Sequence, residues 1–115
     1  VVSSEVLPEL IQFADNNLRS VGIENVTILE RDGSQGYERH APYDRIILTA
    51  ASPVIPQQLI RQLKVGGILV APVGTENQQT MIKLRRTEDG IEETRLGAFV
   101  FSLMIGKYGF EEVFE

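Results

Sequence analysis

The sequence predicts an α/β fold, with a mostly parallel sheet that is covered by helices and closed by an antiparallel hairpin. Strand-like and helix-like segments alternate along the first two thirds of the chain. The strand-like runs are apolar on both faces, as is typical of parallel strands buried between helices. Asp89-Gly90 then separates two strand-like runs, which indicates a hairpin turn. At 115 residues, we expect a single domain, 1–115, with its own core.

The first part of the chain predicts two strands joined by a helix. "VVSSEV" is interpreted as a strand that ends near Glu5, and Pro8 suits the first turn of a helix, where its missing N–H costs nothing. Apolar residues then recur at helical spacing; they are Leu7, Leu10, Ile11, Ala14, Leu18 and Val21. Gly22 is expected to cap this helix, and Asn25 to Glu30 forms the next strand.

The second part predicts a strand, a helix, another strand and the hairpin. After a polar loop, Arg45 to Thr49 is the first of these strands. Pro53 and Pro56 precede a helix over Gln57 to Lys64, which Gly66-Gly67 is expected to stop. The later elements are the strand Ile68 to Gly74 and the hairpin strands 79–87 and 91–103. The basic cluster Lys83 to Arg86 is expected on an exposed sheet face.

The composition excludes several kinds of chemistry. Without cysteine, the chain has no disulfide, thiolate nucleophile or zinc-thiolate site. The single histidine, His40, lies in a polar loop and is expected to be a solvated surface residue, so we expect no metal site and no Ser-His triad. A formal charge of −5 argues against a nucleic-acid partner. With no apolar run that could span a membrane and no signal-peptide pattern at its start, the chain is expected to be cytoplasmic, with chemistry that a bound cofactor supplies.

Two acidic residues follow neighbouring strands. Glu5 ends the first strand, where nucleotide-binding α/β folds hold both ribose hydroxyls with a carboxylate. Asp32 follows the second strand, where a carboxylate accepts a hydrogen bond from an amine such as adenine N6, and Gly33 lets the ring approach. Each has a simpler alternative: an acid favoured near a helix N-terminus, and an ordinary Asp-Gly turn. The sequence leaves both alternatives open.

Two segments of small residues end the later strands. Thr49, Ala50, Ala51 and Pro53 follow the third strand, and Pro72, Val73 and Gly74 end the fourth. Short side chains there allow a ligand to lie against the backbone, and the second segment is expected to present backbone groups at the rim. Tight packing of helix on sheet explains the alanines equally well. Gln78 and Gln79 are expected to be solvated loop residues.

Taken in order, these segments resemble the protein-L-isoaspartate O-methyltransferase family. The matching pieces are "VVSSEVLPELIQFADNNL", "NVTILERDGSQGY", "APYDRIILTAASPVIPQQLIRQLKVGGILVAPVG", and the later "EDGI" followed by "FVFSLMIGKYGF". The likeness covers nearly the whole chain, and "DGSQG", "APYDRI" and "AASPVIP" in register are its most specific part. "FVFSL" departs from the family's usual "FVPL".

The resemblance implies a partial class I (Rossmann-like) methyltransferase sheet that binds S-adenosylmethionine. The implied activity is methylation of the free carboxylate of L-isoaspartyl, and more weakly D-aspartyl, residues in damaged proteins, which is a repair reaction. It implies that Glu5, Asp32, Gly33, Thr49 and Ala50 bind the cofactor. Residues implied to contact substrate are Ala51, Pro53, Pro72, Val73 and Gly74. An ionised carboxylate needs no base, so small residues that leave room for alignment suit this chemistry.

The resemblance also implies that the chain is the C-terminal portion of such an enzyme. The family's glycine-rich cofactor loop and its active-site serine belong to a segment that "VVSSEV" would follow, so no catalytic residue is assigned here. We expect the 115 residues alone to be inactive, with activity belonging to the full-length parent. Two alternatives stay open: a non-catalytic binding or assembly module that self-associates through exposed sheet edges, and a class I methyltransferase of another substrate class.

Overall fold

The computed structural model describes residues 1–111 and divides the chain into two compact units, Val1–Gly33 and Ser34–Glu115. The first unit holds a two-stranded sheet, and the second holds a four-stranded sheet. The α/β class and the combination of parallel and antiparallel strands are confirmed. That residues 1–115 form one domain stays a prediction.

The first unit is a β-α-β arrangement built from β1 (Val2–Glu5), α1 (Pro8–Ser20) and β2 (Thr27–Glu30). The strands are parallel and in register from Val2↔Thr27 to Glu5↔Glu30. Pro8 occupies the first turn of α1, as predicted. The predicted glycine cap is confirmed: Gly22 has φ +77° and its N–H donates to the carbonyl of Arg19 at 3.1 Å.

The apolar stripe of α1 is only partly covered within this unit. Ile11, Ala14 and Leu18 are half-buried, whereas Leu7, Leu10 and Val21 are exposed. A helix with its side chains is about 10 Å wide, and two strands lie about 4.8 Å apart. The two-stranded sheet is therefore too narrow to cover the whole stripe.

The second unit is built around a mixed sheet. Its elements are two short 3₁₀ turns (Gly33–Gln35, which begins in the first unit, and Glu38–His40), β3 (Tyr43–Ile47), α2 (Gln57–Arg61), β4 (Leu63–Gly74), β5 (Gln79–Arg86) and β6 (Ile91–Phe99). The strand order is β3-β4-β5-β6, with β3 parallel to β4 and the remaining pairs antiparallel. The parallel pair brings the end of β3 beside the middle of β4, since Ile47 is in register with Val70.

The boundary between α2 and β4 differs from the prediction. The helix ends at Arg61, not Lys64, and β4 begins at Leu63, not Ile68. Leu63 is fully buried and in register with Tyr43 of β3, whose N–H donates to the carbonyl of Gln62 at 2.8 Å. Pairing with β3 therefore outweighs continuation of the helix, and Gly66-Gly67 lies inside the strand.

The predicted hairpin is confirmed. The N–H of Thr87 donates to the carbonyl of Gly90 at 2.8 Å, closing the turn between β5 and β6. Along β5, Ile82 and Leu84 are buried while Lys83 and Arg85 are exposed, so these two basic residues lie on a solvated face as predicted. Arg86 does not: it is half-buried, and its Nη1 donates to the carbonyls of Arg61 at 3.2 Å and Leu63 at 2.6 Å. The last strand ends at Phe99 rather than Leu103, and all nine of its residues are exposed.

The core of the second unit lies where α2 packs on β3, β4 and β5. Its buried members are Leu48, Leu59, Leu63, Leu69, Ala71 and Leu84. This core fixes the ends of β3 and β4, which carry the small-residue segments. None of the helices among the described residues has the length and apolar character that crossing a bilayer requires.

We expect Leu69→Ala to lower the free energy of unfolding by about 2–5 kcal/mol, because it opens a cavity beside fully buried neighbours. Chemical denaturation of the 115-residue chain measures this loss. Leu96→Ala is the matched control: Leu96 lies on β6 with 52% of its surface exposed, and its loss should stay near 0.5 kcal/mol or less. Equal losses for the two variants would contradict the assignment of the core.

Candidate functional site

The first group of predicted site residues lies at the carboxyl ends of β1 and β2. Glu5 is in register with Glu30, and the N–H of Arg31 donates to the carbonyl of Glu5 at 3.1 Å. Asp32 is the next residue, so it follows the last inter-strand hydrogen bond directly. Adjacent strands lie about 4.8 Å apart and two residues span about 7 Å at most, so the Cα atoms of Glu5 and Asp32 lie within about 12 Å of each other.

The carboxylate of Glu5 is held in place by the backbone that leads into α1. Its Oε1 accepts hydrogen bonds from the N–H groups of Val6 at 3.1 Å and Leu7 at 3.2 Å. The side chain is half-buried. An ionised carboxylate has about four acceptor positions, so these two bonds leave capacity for further donors. Support of the turn that leads into α1 and a ligand-binding role are therefore compatible.

Asp32 and Gly33 form the turn that follows β2. The side chain of Asp32 is half-buried. A Cβ added to Gly33 would have Ser4 Cβ as its nearest neighbour at 3.5 Å, an ordinary van der Waals distance. Packing of the chain therefore does not by itself require glycine at this position. The structure shows the predicted placement of the two acids at neighbouring strand ends, while their role in binding stays a prediction.

The second group lies in the other unit, in the segment that follows β3. Thr49 and Pro53 are exposed and Ala50 is half-buried, but Ala51 is fully buried. Both backbone polar groups of Ala51 are hydrogen-bonded. Its N–H donates to the carbonyl of Ser102, and its carbonyl accepts from the N–H of Met104, both at 2.7 Å. The side chain of Ala51 therefore serves tight packing, and Thr49, Ala50 and Pro53 are the members of this segment that face solvent.

The segment Pro72–Gly74 differs from the prediction that its backbone groups are presented at the rim. The carbonyl of Pro72 accepts from the N–H of Ser52, and the N–H of Gly74 donates to the carbonyl of Ser52, each at 3.0 Å. Pro72 itself is almost fully buried, whereas Val73 and Gly74 are half-buried. This part of the prediction is wrong because Ser52 forms a parallel bridge with Val73 that satisfies these groups.

Gln79 is a buried anchor, which corrects the expectation that it is a solvated loop residue. Only 1% of its surface is exposed. Its Nε2 donates to the carbonyl of Thr75 at 2.8 Å, and its Oε1 accepts from the N–H of Phe101 at 2.7 Å. The amide thus ties the loop after Gly74 to the segment after β6. Gln78, in contrast, is exposed as expected.

Gln62 is a second buried glutamine that sequence reasoning missed. Its Nε2 donates to the carbonyl of Gln35 at 3.1 Å, and its Oε1 accepts from the N–H of Tyr37 at 3.0 Å. Tyr37 is held further by the hydroxyl of Tyr43, which donates to its carbonyl at 2.5 Å. These bonds fix the polar loop before β3. The only signal in the sequence was that such a loop needs partners for its backbone groups.

Charged clusters outside the predicted residues are few in the part of the chain that the structure describes. His40 is exposed, and its ring contacts that of Tyr37 edge-on with centroids 5.0 Å apart. Within residues 1–111, no three His, Cys, Asp or Glu side chains lie close enough together to hold a metal ion. The chemistry that the described residues offer is hydrogen-bond acceptance at Glu5 and Asp32 and a small, tightly bonded surface at Thr49–Pro53.

Acids at the ends of neighbouring parallel strands are typical of α/β folds that bind nucleotides. The model of the family protein-L-isoaspartate(D-aspartate) O-methyltransferase (PCMT) matches residues 1–107. The chain therefore belongs to the protein-L-isoaspartate O-methyltransferase family, as the resemblance predicted.

Relatives and solved structures agree with this assignment. Protein-L-isoaspartate O-methyltransferases of Methanopyrus kandleri and Methanoculleus marisnigri are 45% and 46% identical to the chain, over 97% and 96% of its length and 50% of theirs. A solved protein-L-isoaspartate O-methyltransferase superimposes with a TM-score of 0.85 at 27% identity, over 95% of this chain and 35% of that one.

A second solved structure shows the same fold. It is a putative protein-L-isoaspartate O-methyltransferase from Plasmodium falciparum in complex with S-adenosyl-L-homocysteine, with a TM-score of 0.78 and 22% identity over 91% of this chain and 52% of that one. The chain spans about half the length of the curated relatives that it matches.

We expect Gln79→Ala to lower the free energy of unfolding by about 1–3 kcal/mol, because two partly buried backbone groups lose the partner that the buried amide supplies. Gln78→Ala is the matched control at the neighbouring, exposed position, and we expect a change of about 0.5 kcal/mol or less. Amide hydrogen exchange at Phe101 should accelerate in the first variant only. Unchanged protection of Phe101 in Gln79→Ala would contradict the anchoring role.

Proposed function

We propose that the chain is part of an S-adenosylmethionine-dependent methyltransferase that methylates the free carboxylate of L-isoaspartyl, and more weakly D-aspartyl, residues in damaged proteins. The observation that carries the proposal is the family match over residues 1–107. Placement of Glu5 and Asp32 at adjoining strand ends supports it, because that is where a nucleoside binds in such sheets. The proposed partners are proteins or peptides that contain isoaspartyl residues.

The residues at the ends of β1 and β2 fit the nucleoside part of this cofactor. Glu5 has its Oε1 fixed by two backbone N–H groups, which orients the carboxylate to accept from both hydroxyls of a ribose. Asp32 accepts a hydrogen bond from the exocyclic amine of adenine. Packing within the chain does not require glycine at position 33, and we propose that its missing side chain leaves space for the adenine ring. When bound, S-adenosylmethionine supplies a methyl group on a sulfonium.

The proposed reaction needs alignment rather than a base. The carboxylate of an isoaspartyl residue has a pKa of about 4, so its oxygen is already ionised at neutral pH. When bound, the cofactor would supply the methyl group to that oxygen and its sulfur would keep the electron pair of the broken bond, so the residues of the chain need only hold the two in line. We propose that Thr49 and Ala50 contact the cofactor and that Pro53, Val73 and Gly74 contact the substrate. Positioning of this kind contributes up to about 7–11 kcal/mol.

The composition and the outer strand of the sheet support further parts of the proposal, which concern localisation, partners and self-association. We propose a cytoplasmic protein, which the absence of cysteine supports. A formal charge of −5 supports a protein that does not bind nucleic acid, and no membrane association is proposed. Self-association through sheet edges stays a prediction, for which the exposed outer strand β6 supplies the surface.

The test is a methyl-transfer assay. The reading frame upstream of Val1 is sequenced, and the complete protein it encodes is assayed beside the 115-residue chain. Methyl-labelled S-adenosylmethionine is supplied with an isoaspartyl peptide or with its aspartyl counterpart. We expect base-labile label in the isoaspartyl peptide only, and from the complete protein only. Label in neither peptide, or equal label in both, would contradict the proposed function.

Glu5→Gln tests the cofactor-binding half of the proposal. We expect it to raise the KM for S-adenosylmethionine about tenfold or more, because a hydrogen bond to a charged group contributes about 1.5–3 kcal/mol. Glu9→Gln is the matched control, since Glu9 is an exposed acid in the first turn of α1. Unfolding midpoints of both variants separate loss of binding from loss of structure. A KM that Glu5→Gln leaves unchanged would rule out the ribose role.

A further inference from the structure

A groove with a positively charged lining lies on the Ser34–Glu115 unit. Its volume is about 650 Å³, and it runs between the segment that leads into α2 and the loop 107–109. Arg61 and Lys107 supply two positive charges, Gln58 and Tyr108 supply polar groups, and Val54 and Ile55 form an apolar wall. Among the described residues that line it, none is acidic. The groove therefore favours a ligand with a negative charge and an apolar part.

The Lys107 side of the groove is a tightly closed loop. Ile105 and Phe110 form a parallel bridge, and the N–H of Phe110 donates to the carbonyl of Met104 at 2.8 Å. Gly109 is required within this loop, because a Cβ there would clash with the carbonyl oxygen of Met104. The loop is therefore closed by these backbone contacts, with Lys107 and Tyr108 at its tip.

A buried serine also holds the tip of this loop. The N–H of Tyr108 donates to Oγ of Ser34 at 3.1 Å, and Ser34 is fully buried. Lys107 Nζ lies 5.3 Å from the centroid of the Tyr108 ring, over its face. The ammonium group of the exposed Lys107 thus lies beside Tyr108 at the edge of the groove.

The electrostatics at Tyr108 favour negative charge at this place. The pKa of the Tyr108 phenol is lowered, and the largest cause is a side-chain hydrogen bond with Gln58. A hydrogen bond with Lys107, the positive charge of Lys107 and that of Arg61 act in the same direction with smaller effect. Groups that stabilise a phenolate oxygen also stabilise the oxygen of a carboxylate that binds beside it.

The groove adjoins, along the chain, the segment that we propose for methyl transfer. It begins at Val54, directly after Pro53. The chain that leads to Lys107 is fastened to the same segment, since Ala51 exchanges two backbone hydrogen bonds of 2.7 Å with Ser102 and Met104. Thr49–Pro53 and the groove therefore belong to one connected part of the second unit.

We propose that this groove binds the side-chain carboxylate of an aspartate or glutamate that flanks the methylated residue in the substrate polypeptide. The proposal rests on the proposed function. Arg61 and Lys107 pair with the carboxylate, Gln58 and Tyr108 donate hydrogen bonds, and Val54 and Ile55 contact the aliphatic part of the substrate. Damaged segments with acidic neighbours are therefore preferred substrates of the complete protein.

The kinetic test compares two isoaspartyl peptides that differ only in flanking glutamates replaced by glutamines, at positions up to four residues from the isoaspartyl residue. With the complete protein we expect about a fivefold lower KM for the acidic peptide and an unchanged kcat. Arg61→Gln and Lys107→Gln should abolish this difference. Arg85→Gln and Lys83→Gln are the matched controls, because they remove the same charges from the exposed face of β5, and they should retain it.

A binding measurement separates this proposal from the proposed function. The 115-residue chain is titrated with a glutamate-containing aspartyl peptide and with its glutamine counterpart, while the amide signals of Lys107, Tyr108 and Gly109 are followed by NMR. Shifts with the acidic peptide alone support the subsite even if no methyl transfer is detected. Equal shifts or equal KM values for the two peptides, or the same loss in the control variants, would overturn it.

Discussion

Parallel pairing of β1 with β2 is the constraint on which the candidate site depends. The register Glu5↔Glu30 ends both strands at the same level, and the hydrogen bond from Arg31 to Glu5 extends the pairing by one residue. An acid at the end of one strand and an acid just after the other then lie at the same edge of the sheet, with their Cα atoms within about 12 Å of each other. A slip of one residue would turn Glu5 to the other face of the sheet, because side chains alternate along a strand.

The same backbone geometry serves two purposes at Glu5. Hydrogen bonds from Val6 and Leu7 fix its carboxylate and satisfy backbone groups where the chain leaves β1 for α1. A side chain already held by such bonds loses little freedom on binding, so ligand contacts are made at lower entropic cost. The simpler structural explanation of this acid therefore adds to the binding role instead of competing with it.

In the second unit, two buried glutamine side chains hold loops in position. Gln79 joins two backbone segments, and Gln62 bonds to two backbone groups of the loop before β3; both satisfy polar groups that would otherwise lack a partner. Through them the loops beside the small-residue segments acquire fixed positions. A reaction that depends on alignment benefits from fixed loops more than from an added acid or base. The basic groove at Arg61 and Lys107 extends this fixed surface toward the rest of a substrate chain.

The sequence was informative where a local signal decides the structure. Pro8, Gly22 and Asp89-Gly90 correctly predicted a helix start, a helix end and a hairpin. It was misleading at Leu63, where helical spacing continued but pairing with β3 prevailed. Local sequence patterns do not indicate pairing between residues that are distant along the chain.

Burial of polar side chains was equally hard to predict. Gln78 and Gln79 are identical neighbours in a loop sequence, yet only the second is buried. Which of them faces inward depends on the alternation of β5 and on Phe101, more than twenty residues away. The ends of the strands were thus predictable, whereas the contacts that fix the loops beyond them were not.

The central claim is that Glu5 and Asp32 hold the two ends of one nucleoside. A crystal structure of the complete protein with S-adenosylhomocysteine tests it most directly. We expect the Glu5 carboxylate within about 3 Å of both ribose hydroxyls and the Asp32 carboxylate within the same distance of the adenine amine. A nucleoside bound away from the ends of β1 and β2, with neither carboxylate in contact, would contradict the account.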